Sequence, residues 1–137
     1  IAFALRGVSS DESYVAKVFQ LALPEFKDRN EFVALIKQRY AENTSPERFK
    51  SIEFNYEYTE KRGYPCVRIK GVMEDTKART SSGQDILKFQ SYTLACQHPR
   101  RQGEGFAIDF SHRGPTLDAT LDAQAEAFIE GVQLTEK

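Results

Sequence analysis

Tryptophan is absent from this chain, methionine occurs once, and 137 residues hold two cysteines and two histidines. So few soft ligands leave no zinc pattern. Cys96 and His98 stand two apart without a second pair at matching spacing, whereas structural zinc takes four ligands and catalytic zinc three. No metal and no cofactor is expected. No apolar run reaches the length of a membrane span, and no charged-then-apolar leader opens the sequence. Nucleophile elbow, phosphate loop, dinucleotide fingerprint and His-Glu-x-x-His are all missing. Charge of one sign is lacking too: 19 Lys and Arg against 20 Asp and Glu leave a net charge of -1. That offers no field to gather nucleic acid or an anionic membrane, so neither is an expected partner.

What is present is a globular composition, 40% hydrophobic and 28% charged. The length suits one hydrophobic core, and no repeat, low-complexity tract or linker divides it, which predicts a single domain over residues 1–137. Charge is uneven along the chain. Residues 61–113 carry ten Lys and Arg against five Asp and Glu, and residues 114–137 carry one against five. Solvated faces that offset one another in the fold account for this imbalance. The sequence starts at Ile1 without methionine and runs into Phe3 and Leu5, from which a removed export signal or anchor is expected upstream.

Residues 28–42 read as a helix. Asp28 or Asn30 can cap it, Glu31 completes a capping box, Phe32, Leu35, Ile36 and Tyr40 form one apolar stripe, and Pro46 follows its end. Residues 14–23 fit either a helix or a strand; β-branched and aromatic content and the stop at Pro24 favour the strand. From Ser51 the period becomes two, with Ile52, Phe54, Tyr56 and Tyr58 on one side. Further strands are predicted from Tyr64 to Asp75, Ile86 to Gln97 and Gly105 to Ser111, with a polar loop tip at Thr80–Gln84. Val67, Ile69 and Met73 share one side of the second strand, Arg68 and Lys70 the other. Leu121, Ala125, Phe128 and Ile129 recur at helical spacing up to Gly131. The expected fold is α+β: one antiparallel sheet, a meander, covered by helices 28–42 and 121–131.

A turn centred on Ser81 sets Cys66 opposite Cys96, where a bridge can form. The same register sets Arg68 opposite Leu94 and Lys70 opposite Tyr92, whereas a one-residue slip would pair apolar with apolar, and a bulge would reconcile the two. A disulfide and a pair of buried, inert thiols therefore both stand open. Cys66 or Cys96, a histidine and Asp109 supply the residue types of a thiol hydrolase. His98, Arg100, Arg101, His112 and Arg113 are candidate binding residues, since Arg grasps carboxylates and phosphates, although Arg113 falls at the opposite end of the strands from Arg100 and Arg101. Phe54, Tyr56 and Tyr58 would line an apolar cleft or simply form core.

Ser13-Tyr14-Val15-Ala16, Leu23-Pro24-Glu25-Phe26, Pro65-Cys66-Val67-Arg68, Cys96-Gln97-His98-Pro99, Phe110-Ser111-His112-Arg113-Gly114 and the segment from Ala125 to Gly131 occur in that order along most of the chain. In this the sequence resembles a group of uncharacterised bacterial lipoproteins and exported proteins. The resemblance implies a cell-envelope location, attachment to the membrane only through a removed N-terminal anchor, and a Cys66–Cys96 bridge. It implies no activity, and the lipid-accepting cysteine of such proteins is not present near Ile1. The expected function is a non-catalytic binding or interaction module of the envelope, whose partner is another envelope protein met by strand addition. The alternatives are a small hydrolase using a Cys or His side chain and a small-ligand sensor.

Overall fold

Period-two alternation builds most of this molecule. The computed structural model describes residues 1–7, 11–78, 80 and 86–135. Its elements are β1 (Ala2–Arg6), β2 (Ser13–Ala22), α1 (Arg29–Glu42), β3 (Phe49–Thr59), β4 (Cys66–Asp75), β5 (Leu87–Gln97), β6 (Glu104–Gly114) and α2 (Leu121–Gly131). Ser81 to Gln84 of the expected loop tip, and the side chain of Ile52, lie outside the described residues. The strands form one antiparallel sheet in the order β1-β2-β6-β5-β4-β3, so the fold is α+β as expected. The meander runs from β3 to β6. The β1–β2 hairpin extends it beyond β6, and α1 carries the chain across the sheet from β2 to the far edge at β3.

Residues 14–23 resolve as strand through Ala22, with every residue of β2 paired to β6. β1 escaped the sequence reading because Ile-Ala-Phe-Ala-Leu has no polar residue to alternate with. It is an edge strand exposed along its whole length. Asp28 is the cap of α1, its carboxylate accepting the Glu31 N–H at 2.9 Å, and Glu31 reaches back to accept the Lys27 N–H at 3.0 Å. These contacts satisfy two amide groups at the helix start that have no partner within the helix.

The two helices sit on opposite faces of the sheet. Phe32 and Ile36 of α1 are fully buried with Leu21, Val67, Ile69, Ala95 and Ala107 on one face. On the other face Ile129 of α2 packs with Cys66, Leu94, Cys96, Phe106 and Ile108. Successive residues of the inner strands therefore enter two different cores, which explains why β4 and β5 are largely buried at adjacent positions.

Cys66 stands opposite Cys96, and the pair is disulfide-bonded. The neighbouring Gln97 N–H donates to the Pro65 carbonyl, so the cysteines form a non-hydrogen-bonded pair, the closer kind in an antiparallel ladder. No bulge reconciles the register with the apolar pattern. The bulge of this sheet lies in β3, between Ser51 and Glu53. Arg68 and Lys70 are accommodated because they face α2, where Arg68 pairs with Glu126 and Lys70 stands 4.0 Å from Asp122 and 5.1 Å over the Tyr92 ring.

Closing a loop with a sequence separation of 30 residues contributes roughly 3 to 4 kcal/mol to stability. Urea unfolding with and without reductant should differ by about that amount. Two thiols that alkylate in the unreduced native protein would refute the bridge.

Candidate functional site

The face under α1 is only partly covered. Where α1 lies, the sheet presents Ala107 and Ala95, small enough to admit Phe32 and Ile36. Beyond its C-terminal end the next rows read Lys17, Asp109, Thr93, Ile69, Tyr56 and then Val15, Ser111, Ser91, Gly71, Phe54, from β2 across to β3. Short side chains again form a low floor, but no helix fills it. The result is a half-open pocket of about 450 Å³ whose lining includes Phe19, Tyr40, Phe49, Phe54, Met73 and Phe89. Gly71 shapes one wall: a Cβ there would come within 2.8 Å of the Phe54 ring, which lies over it.

Polar groups converge at one side of this pocket. The Thr93 hydroxyl donates to Asp109 Oδ1 at 2.6 Å, and Lys17 Nζ stands 3.4 Å from Asp109 Oδ2. The Tyr40 hydroxyl is buried and, among the described residues, has no hydrogen-bond partner. Burial, and then the Asp109 carboxylate, push its phenol far above the usual range; Thr93 opposes that rise without completing a hydrogen bond. Tyr40 is thus a protonated hydroxyl at physiological pH, and an unpaired buried donor costs about 1 to 3 kcal/mol unless something accepts from it.

The far wall is held by charge. Arg48 places Nε 3.0 Å from Asp75 Oδ1 and Nη2 2.8 Å from Oδ2, a two-pronged grip on a fully buried carboxylate. Arg113 adds a contact at 3.7 Å. Arg48 immediately precedes Phe49, whose ring meets Phe89 with centroids 6.1 Å apart, so the grip fixes the start of β3 against the pocket. The Arg48 hydrogen bond holds the Asp75 carboxyl below the usual carboxylate range, against the opposing effect of burial.

The binding residues expected from sequence do not form one site. His98, Arg100 and Arg101 share a groove at the other end of the sheet, on the α2 side. Arg113 lies by Asp75 on the α1 side. His112 is buried within β6, which runs on to Gly114 beyond the end at Ser111 expected from sequence. Its Nδ1 lies 3.2 Å from Gln90 Oε1, its Nε2 3.4 Å from Glu12 Oε2, and its ring 4.8 Å from that of Tyr14. Beside it Tyr14 donates to Asp118 at 2.6 Å, and that bond, with burial, raises the phenol to about 12. The thiol-hydrolase arrangement does not assemble. Both sulfurs are bonded to each other on the α2 face, while Asp109 faces α1.

Sequence reasoning missed the α1-side pocket because its residues belong to six separate elements, α1 and β2 to β6. One signal was present: Ser91, Thr93, Asp109 and Ser111 are small or polar at alternate positions of two central strands. No protein-family model and no curated protein matches this sequence.

Asp75→Asn should cost about 1 to 3 kcal/mol at neutral pH. Because the folded-state pKa is lowered, the carboxylate's contribution is present above about pH 4 and is lost as pH falls through the folded value. The stability gap between wild type and variant, measured by urea unfolding across pH, should close in acid. A gap that stays constant with pH would show that the charge is not what matters.

Proposed function

We propose that this chain is a non-catalytic binding domain that holds a small, mainly apolar ligand in the pocket beside α1, in an oxidising compartment such as the bacterial envelope. The observation that carries the proposal is the buried, unpartnered Tyr40 hydroxyl at an aromatic-lined opening of about 450 Å³. Ligand sites are typically concave, mostly apolar and supplied with a few convergent polar groups, in the range of about 300 to 1,000 Å³. The favoured ligand has a flat or aliphatic body for the phenylalanines and one oxygen that accepts from Tyr40. The disulfide is compatible with a compartment outside the cytoplasm, since such bonds persist where thiols are not kept reduced.

Ligand-observed NMR on the oxidised protein, with a panel of aromatic and aliphatic alcohols and ketones, tests the reading. Tyr40→Phe should weaken a bound compound about 3- to 10-fold, the worth of one hydrogen bond. Ser91→Leu or Ser91→Trp should fill the floor and abolish binding while the melting temperature holds. Binding that ignores all three substitutions would place the ligand elsewhere and overturn the pocket assignment. Hydrolase turnover lost in His98→Ala or His112→Ala would overturn the non-catalytic part.

A further inference from the structure

A second concavity, on the opposite face, gathers a different chemistry. β4 and β5 are antiparallel neighbours, so the turn before β4 and the loop after β5 meet at one end of the sheet. The Cys66–Cys96 bridge ties the strands together there, four residues after Arg62 and two before His98. The C-terminal end of α2 closes the third side. Between them lies a groove of about 710 Å³ lined by Lys61, Arg62, Arg68, His98, Arg100 and Arg101, with Glu130 as the one carboxylate among the described lining residues. Cations are thus concentrated in a chain whose net charge is -1.

These side chains are not equally available. Arg62 donates to the carbonyls of Ile129 and Val132 and to the Tyr64 hydroxyl, capping the last turn of α2. Arg68 is paired with Glu126. Arg101 and Glu104 meet at 3.3 Å but are well exposed, and such pairs contribute little and exchange readily. Among the described residues Lys61 has no carboxylate partner, and Arg62 keeps its full charge because carbonyls do not neutralise it. His98 is set by its own loop. Its Nδ1 accepts the Arg100 N–H at 3.1 Å, so the neutral ring carries its proton on Nε2, which remains a donor.

We propose that this groove binds the phosphate group of a phosphate ester, with Arg100, Arg101 and Lys61 supplying charge and His98 Nε2 a hydrogen bond. Donors reach it from two loops, the turn before β4 and the loop after β5, which suits a tetrahedral group with several acceptor oxygens better than a planar carboxylate. The volume exceeds what a free ion needs, and Tyr64, Leu94 and Ile129 in the lining offer contact to the body of the ester. The site lies on the other face from the Tyr40 pocket and stands or falls independently of it.

Two sources can present such a group, a soluble ester or a phospholipid headgroup, and one experiment separates them. The oxidised, isotope-labelled protein is titrated at low salt with glycerol 3-phosphate, and in a parallel arm sedimented with phosphatidylglycerol or phosphatidylcholine vesicles. Saturable amide shifts confined to residues 60–66 and 96–104 with the soluble ester, weakening as salt is added, support the site. Sedimentation with phosphatidylglycerol alone, lost in the same variants, supports it with the headgroup as source. Arg100→Ala/Arg101→Ala should lower affinity at least about tenfold, and His98→Ala about threefold. Lys27→Ala/Lys50→Ala, which removes the same charge elsewhere, should leave affinity unchanged. The proposal is overturned if neither arm shows binding, or if the control pair weakens it as much as the arginine pair does.

Discussion

In the centre of the sheet, the face on which each side chain lies follows from how β4 pairs with β5. With Cys66 opposite Cys96, the even-numbered residues of both strands face α2 and the odd-numbered ones face α1. A slip of one residue would turn Val67 and Ile69 away from Ile36, send Arg68 into the α1 core without Glu126, and pull the sulfurs apart. Covalent bond, apolar burial and ion pairing thus select one register, each by a different physical effect. β3 and β6 are then aligned on the outer sides of this pair, and β2 on β6. The floor of Thr93, Ser91 and Gly71 under the pocket is a consequence of the same register.

Much of this architecture was legible from alternation and capping. Asp28 and Glu31 mark the start of α1, Tyr56 and Tyr58 face the α1 core, and the meander from β3 to β6 follows from short connections. What misled was a single assumption, that one face of the sheet is wet. Arg68 and Lys70 look like solvent-facing residues and so seemed to contradict the cysteine register. They lie instead beneath an acidic helix face, where Glu126 and Asp122 compensate them. The pocket was hidden because its lining is drawn from six elements far apart in sequence. β1 was illegible for a different reason. A strand of apolar and small residues at an edge carries neither alternation nor burial.

The placement of both concavities follows from a mismatch of widths. Six strands at about 4.8 Å spacing span roughly 24 Å, whereas one helix with its side chains is about 10 Å across. A single helix on each face therefore leaves about half of that face uncovered, and the uncovered half must be met by solvent-tolerant residues or by another molecule. On the α1 side phenylalanines and a methionine ring a floor of short side chains, a surface that water serves poorly and a compact apolar ligand would serve well. On the α2 side the helix ends over the sheet, and the remaining space is bounded by two cationic loops held together by the disulfide. The Cys66–Cys96 bond lies at the end of the sheet where the groove lies, while the Arg48–Asp75 grip stands beside Phe49, a lining residue of the α1-side pocket. One register thus supports two chemically distinct surfaces on opposite faces, one apolar beside an ion pair, the other cationic beside a covalent bond.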